Sequence, residues 1–171
     1  MSAVAAQAAD SRRFRSIAGR FATGVAVVTS CGDGGPIGMT VNSFTTVSLD
    51  PQLLLVCLKR DCRLLGAVDR SGCFAVTVLA ADQRHCAAWF ADPRRPSGPA
   101  EFAGMPVRPD GETGCPLLTG GVAYFGCGTE RVVEAGDHLV LIGAVRTAGL
   151  LRREPPLLFV DGHYAGLGEQ L

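Results

Sequence analysis

A surplus of charge of one sign is missing from this sequence: 16 basic side chains stand against 16 acidic ones in 171 residues. A balanced chain carries no electrostatic footprint for a polyanion, so nucleic acid is not expected as a partner. No apolar run reaches the roughly 18–20 residues that a bilayer-spanning helix needs. The opening MSAVAAQAADSRRF lacks the order of charge, apolar segment and cleavage site that makes a signal peptide. The expectation is a cytoplasmic protein with no membrane partner. No C-x-x-C pair occurs among Cys31, Cys57, Cys62, Cys73, Cys86, Cys115 and Cys127, and their number is odd. That argues against a disulfide framework and against a zinc site. Paired carboxylates, a catalytic triad and a metal-ligand cluster are missing too, which is awkward for a hydrolase.

What is present is the material of one core. Hydrophobic residues make up 47% and charged residues 19%, enough for a single domain at this length. Residues 1–10 are small and featureless and read as a flexible tail, leaving residues 11–171 as the domain.

The chain is organised around residues 38–59, GMTVNSFTTVSLDPQLLLVCLK. Thr40, Asn42, Ser43, Thr45, Thr46 and Ser48 place a row of short donors on a β-prone segment. Asp50-Pro51 marks a turn, and residues 53–58 follow as an apolar run of the length of a strand buried on both faces. Two readings stay open. The row suits a flat, polar-edged ligand such as a flavin, because small side chains let backbone N–H groups approach; equally, it is the Thr/Ser-rich solvent face of an edge strand.

Elsewhere Phe14, Ile17, Ala18 and Phe21 recur at helical spacing after a possible N-cap at Asp10 or Ser11, predicting an amphipathic helix that ends at Gly24 and packs on a sheet. Residues 25–30 form a short strand. The glycines that follow do not give G-x-G-x-x-G, so Asp33-Gly34 is read as a hairpin turn rather than a dinucleotide fingerprint. Asp61 is placed to cap a helix through Leu64, Leu65 and Val68 that stops at Ser71-Gly72. Residues 73–79 are a buried strand. A helix from about Asp82 is expected to carry Cys86, Trp89 and Phe90 on one face. Residues 92–116 hold six prolines, the signature of a lid or binding loop, with Phe102 as its apolar anchor. Residues 122–133 and 138–145 read as an antiparallel hairpin, and residues 157–160 as a further strand turning at Asp161-Gly162. Hairpin order with two or three short helices predicts a mainly β fold, an antiparallel Greek-key type barrel with helices at its ends.

Several stretches together resemble the short-chain flavin reductases, the FMN-binding split-barrel proteins that supply reduced flavin to two-component monooxygenases. They are Phe21 with G-V-A-V-V-T (24–29), G-M-T-V-N-S-F-x-x-V-S-L-D-P (38–51), W-F-A (89–91), G-D-H-L-V-L-I-G-x-V (136–145) and P-L-L-F-V-D-G-x-Y (156–164). The resemblance implies a split barrel in which NADH or NADPH passes a hydride to FMN or FAD. It implies that Thr40, Val41, Asn42 and Ser43 line the flavin ring edge and ribityl chain, and that Cys57, Leu58 and Lys59 form the strand end against ring and phosphate. Met39, Ser48, Cys62 and Phe102 complete the cofactor-binding set, with Tyr164 as an aromatic wall. Where relatives carry a serine or threonine after that strand, this chain has Asp61 and Cys62, with Lys59, Arg60 or Arg63 to supply positive charge. His138 is implied as the catalytic residue that seats the nicotinamide. A homodimer and a flavin-dependent monooxygenase partner are implied as well. The rival reading is a split-barrel protein that holds flavin without turnover.

Overall fold

A computed structural model describes residues 11–32 and 34–168; the tail expected over residues 1–10, the cap at Asp10 and the turn residue Asp33 lie outside them. In chain order the elements are α1 Ser11–Ala18, β1 Thr23–Gly24, β2 Ala26–Gly32, β3 Gly35–Val41, β4 Thr45–Leu49, β5 Gln52–Lys59, α2 Arg63–Ser71, β6 Cys73–Val78, α3 Arg84–Ala91, β7 Val107–Pro109, β8 Pro116–Leu118, β9 Ala123–Ala135, β10 His138–Leu150, β11 Leu158–Val160 and β12 His163–Ala165. The main sheet runs β3-β2-β6-β9-β10-β5-β4, with every pair antiparallel. Glycines with positive φ make two of its hairpins: Gly35 (92°) between β2 and β3, and Gly136 (62°) between β9 and β10.

The sheet curls until its first strand, β3, lies against β5 near the other end. No ladder joins them; the barrel is split along this line. Ser43 bridges it, its hydroxyl accepting from Cys57 N–H at 2.9 Å and donating to Cys57 C=O at 3.1 Å. Val28, Val56, Leu58, Phe74, Val76 and Leu141 fill the barrel. A second cluster of Val25, Val27, Leu79, Phe90 and Phe102 seats α3 and the 92–116 excursion on the outside. Val27 and Val28 face different clusters, so β2 is buried on both sides. β5 is not: Leu54, Val56 and Leu58 point inward, while Leu53, Leu55 and Cys57 stay half exposed. The two-sided burial expected for residues 53–58 is corrected to one-sided, because nothing among the described residues covers the outer face.

Three further expectations are corrected. α1 ends at Ala18, Gly24 belongs to β1, and the apolar stripe does not pack on the sheet: Phe14, Ile17 and Phe21 are 65%, 64% and 79% exposed. The segment after α1 is tied to the Asp161 turn by polar contacts, Asp161 N–H to Gly19 C=O (2.8 Å) and Arg20 to the Asp161 carboxylate (3.2 Å). The N-cap of α2 is Cys62 rather than Asp61, and it makes no side-chain capping bond; Gly72 closes the helix in the left-handed region (φ 66°) as its sequence requires. On α3, Cys86, Ala87 and Phe90 are buried, whereas Trp89 is turned to the side, 36% exposed, its Nε1–H donating to Glu101 C=O at 2.8 Å. No helix among the described residues is long and apolar enough to cross a membrane.

Candidate functional site

The split leaves a cleft of about 540 Å³ between β3, the end of β5, the start of α2 and the end of α3, lined by Met39, Thr40, Lys59, Asp61, Cys62, Arg63, Leu64, Phe90, Ala91, Pro93 and Arg95. A smaller hollow of about 160 Å³ adjoins it, sharing Thr40 and Ala91 and walled by Val25, Val41, Asn42, Phe159 and Tyr164. The first space is the more polar of the two and is basic, with Lys59, Arg63 and Arg95 against Asp61. The second is mainly apolar, with Tyr164 in edge contact with Phe159 (centroids 5.6 Å apart) and the Arg84 guanidinium 6.0 Å from its ring centre. Burial pushes the Tyr164 phenol above its ordinary pKa.

Strand alternation determines what β3 offers. Gly38 points its main-chain groups away from β2, its N–H to Glu101 Oε1 (3.2 Å) and its C=O to Arg95 Nη2. Two residues on, Thr40 faces the same open edge. Its N–H and C=O therefore point into the cleft, while its hydroxyl donates to Ala87 C=O of α3 at 2.7 Å. Arg95 is held in place by Glu101 Oε1 (2.6 Å from Nε) and Asp92 C=O (2.8 Å from Nη1), and its side chain is only 7% exposed. Glu101 is fully buried and balances its charge.

The first turn of α2, which has no side-chain capping bond, faces the cleft through Cys62, Arg63 and Leu64, and the positive end of the helix dipole favours an anion there. Burial raises the Cys62 thiol pKa, so it stays protonated and adds no competing negative charge. Lys59 makes no salt bridge among the described residues, and Arg63 is hydrogen bonded through Nη1 to the Ser97 hydroxyl. The β5–β10 register sets His138 directly opposite Lys59. His138 does not line the cleft; it stands one strand over at the rim, 38% exposed, with Nδ1 2.8 Å from Asp137 Oδ1. That contact holds the Asp137 carboxyl below the usual range.

Of the residues singled out in the sequence, the fold brings Met39, Thr40, Val41, Asn42, Lys59, Cys62 and Tyr164 to the two adjoining spaces. Ser43 and Cys57 stand one step behind, bonded to each other across the split. Three do not face it. Ser48 lies in a separate groove with Leu49 and Gln52, because β4 is beyond β5 in the sheet. Leu58 points into the barrel, and Phe102 is buried beneath Gly38 against Phe90, with ring centres 5.2 Å apart. Sequence reasoning missed Arg95, Ala91 and Phe159. Arg95 sits in a proline-rich run where an arginine reads as solvated, and the buried Glu101 that positions it is six residues away in irregular chain. Among the described residues no cluster of three or more His, Cys, Asp or Glu side chains is arranged to hold a metal ion. An apolar slot joined to a basic cleft with an uncapped helix start suits a planar ring bearing a phosphate.

Comparison with known proteins agrees with that chemistry. Residues 18–168 match the family described as flavin reductase like domain. Among curated proteins, the reductase subunit HsaB of a flavin-dependent monooxygenase from Rhodococcus jostii is 42% identical over 165 residues, covering 96% of this chain and 82% of that protein. Among solved structures, BorF, the flavin reductase component of a bacterial two-component tryptophan halogenase, superposes with a TM-score of 0.88 at 43% identity, over 94% of this chain and all of that one. The Streptomyces globisporus NADH:FAD oxidoreductase SgcE6, solved with NAD and FAD fragments, superposes with a TM-score of 0.86 at 37% identity over 93% of each chain.

Proposed function

We propose, from the premise that this chain belongs to the flavin reductase like domain family and is an NAD(P)H-dependent flavin reductase, that the split of its barrel is where the flavin is reduced. The observation that carries this is the placing of Thr40. One strand residue offers its main-chain N–H and C=O to the junction of an apolar slot and a cationic cleft.

The residues fit a flavin. The slot between Val41, Phe159 and Tyr164 takes flat apolar surface, and Thr40 and Asn42 meet a polar ring edge. The open first turn of α2, with Lys59 and Arg63, takes a phosphate without help from a hydroxyl at position 62. Among the described residues, Asp61 is the one acid lining that space.

When bound, flavin supplies the ring that accepts a hydride, and reduced nicotinamide supplies the hydride. The protein's part is to hold the reactants roughly 3–3.5 Å apart in a space with little water. Ala87 C=O fixes the Thr40 side chain, Ser43 fixes the approach of the 42–44 segment to β5, and Arg95 with Glu101 fixes Gly38. His138 at the rim, oriented by Asp137, meets the incoming nicotinamide. No proton need be removed from carbon, which accords with the missing acid–base pair.

The reduced flavin passes to a flavin-dependent monooxygenase partner. The chain works as a homodimer whose interface covers the outer face of β5 and the exposed Val47, Leu49, Val132, Val133 and Leu150; light scattering that returns the mass of one chain at micromolar concentration would exclude this. It acts in the cytoplasm, in keeping with seven unpaired cysteines; oxidation of these thiols in freshly isolated protein would count against that location. The direct test of the activity is to mix the purified protein with NADH or NADPH and FMN or FAD under anaerobic conditions. Flavin bleaching matched by nicotinamide oxidation is expected. Inactivity with all four combinations would reject the reading.

A further inference from the structure

Three of the seven cysteines meet where the 92–116 excursion rejoins the main sheet. Cys31 is on β2, Cys73 opens β6 and Cys115 immediately precedes β8. Thr29 of β2 stands opposite Ala75 of β6, and the same antiparallel register carried two residues further brings Cys31 beside Cys73. Both side chains lie on the face of Thr29, whose hydroxyl donates to Pro116 C=O, so β8 covers them. Cys115 reaches in from that covering segment, its Sγ 3.7 Å from Cys73 Sγ. The thiols converge on two carbonyls: Thr113 C=O is 3.5 Å from Cys73 Sγ and 3.8 Å from Cys115 Sγ, and Gly114 C=O is 3.7 Å from Cys31 Sγ.

The cluster is graded from outside to inside. Cys31 is half-buried, Cys73 is 9% exposed and Cys115 is fully buried, packed with Ala75 and Leu117. Burial pushes the Cys115 thiol up to about 12 and, with Cys73 beside it, raises Cys31 as well. These two therefore stay protonated at neutral pH and react slowly. No step at the flavin cleft uses them. Among the described residues they form no cluster arranged to hold a metal ion. What the contact between Cys73 and Cys115 suits is two-electron oxidation, which in a reducing compartment is transient.

We propose that Cys73 and Cys115 are a reversibly oxidised dithiol, reached by hydrogen peroxide through Cys31. The Cys31 sulfur attacks one peroxide oxygen, the O–O bond breaks, and Cys31 becomes a sulfenic acid as one water leaves. The Cys73 sulfur then displaces the remaining oxygen as a second water and bonds to Cys31. Exchange moves the bond inward: Cys115 attacks Cys73, and Cys31 leaves as a thiol with the Cys115 proton. Two thiols and one peroxide have given one disulfide and two waters. The last step draws two sulfurs now 3.7 Å apart to the roughly 2.05 Å of a disulfide.

Cys73 and Cys115 are 42 positions apart, and the chain between them takes in α3 and nearly all of the excursion, Arg95 and Glu101 included. A bridge across its ends ties this wall of the cleft to the barrel, and a long closed loop is where a disulfide opposes unfolding most. The flavin reading supplies a source of oxidant: reduced flavin that meets dioxygen before its partner gives it two electrons and two protons, forming hydrogen peroxide. The dithiol itself does not rest on that source.

The test adds hydrogen peroxide to the reduced full chain under native conditions, with no flavin or NADH present, alkylates the remaining thiols at intervals and maps bridged peptides by mass spectrometry. The expected product has Cys73 joined to Cys115 and Cys31 alkylated. It should melt about 5 °C or more above the reduced chain and return to the starting value with dithiothreitol. Cys31→Ser, a change at a half-buried position, should form the same bridge about threefold or more slowly, since the most accessible thiol is gone. The absence of a bridge, a bridge that ends at Cys31, or an unchanged melting temperature overturns the proposal, and an equal rate in Cys31→Ser overturns the route through Cys31. Because no turnover is needed, each result is separable from a failure of the flavin reading, which would appear as a lack of NADH oxidation.

Discussion

Replacing Arg95 by methionine tests whether the ion pair behind the cleft governs both stability and the shape of β3. Glu101 is fully buried, with Oε1 accepting from Arg95 Nε at 2.6 Å and from Gly38 N–H at 3.2 Å, and its Oε2 has no hydrogen-bond partner among the described residues. Removing the guanidinium leaves a buried carboxylate with a single backbone donor, a change that costs about 3–5 kcal/mol where one partner of a buried pair is lost. Arg95→Met with Glu101→Met removes both charges, and its cost should fall short of the sum of the single costs by roughly 2 kcal/mol. Urea unfolding of the four proteins at one protomer concentration measures this cycle. Because Arg95 and Glu101 hold the Gly38 main chain two residues from Thr40, flavin affinity should weaken with the single Arg95 variant. The reasoning is refuted if Arg95→Met costs less than about 1 kcal/mol, or if the two changes add to within about 0.5 kcal/mol, the limit for independent sites.

His138→Ala should slow flavin reduction by about tenfold or more, the effect of losing a group that positions the nicotinamide, while flavin affinity changes less than about twofold because the residue lies outside the cleft lining; stopped-flow reduction and fluorescence titration separate the two, and equal losses would place the residue in the flavin pocket's framework. Gly38→Ala should destabilise the fold by about 1–3 kcal/mol through overpacking, since its Cβ would stand 2.8 Å from the Phe90 ring; a thermal melt reads this. Asp110 is buried, which pushes its pKa up, but the Thr147 and Thr113 hydroxyls (2.6 and 2.7 Å) and Thr113 N–H (2.9 Å) outweigh burial and hold it below the ordinary value. A depressed carboxyl contributes stability above its unfolded pKa of about 4 and loses it as pH falls through the folded value. Asp110→Asn should therefore cost stability at pH 7 and flatten the decline below pH 4, as followed by urea unfolding across pH 3–7.

The hairpins were legible because glycine turns and alternating apolar residues are local signals. Gly136-Asp137 sets the β9–β10 register, and Ser71-Gly72 stops α2, with no help from distant chain. Faces that depend on what lies opposite were less legible. Residues 53–58 read as buried on both sides because leucine, valine and cysteine carry no mark of which side the chain will cover. Helical spacing puts Trp89 on one face with Cys86 and Phe90, yet its indole N–H needs an acceptor, and the excursion supplies one at Glu101 C=O.

The donor row shows the same division inside the site. Its position in the fold was readable, but the use of each hydroxyl was not. Thr40 and Ser43 spend their hydroxyls on Ala87 and Cys57, partners 47 and 14 residues away. What remains for a ligand is main chain, and main chain is available only because β3 and β5 do not pair. A ladder between them would satisfy the Thr40 N–H and C=O and close the barrel over the cleft. An open strand edge is ordinarily a liability; here Arg95 and Glu101 satisfy it at Gly38 and leave it free at Thr40. The split is therefore held by side chains on both sides of the one residue that must stay unpaired, and the two contacts that hold it, Ser43 on Cys57 and the Arg95–Glu101 pair on Gly38, define how wide the cleft can be.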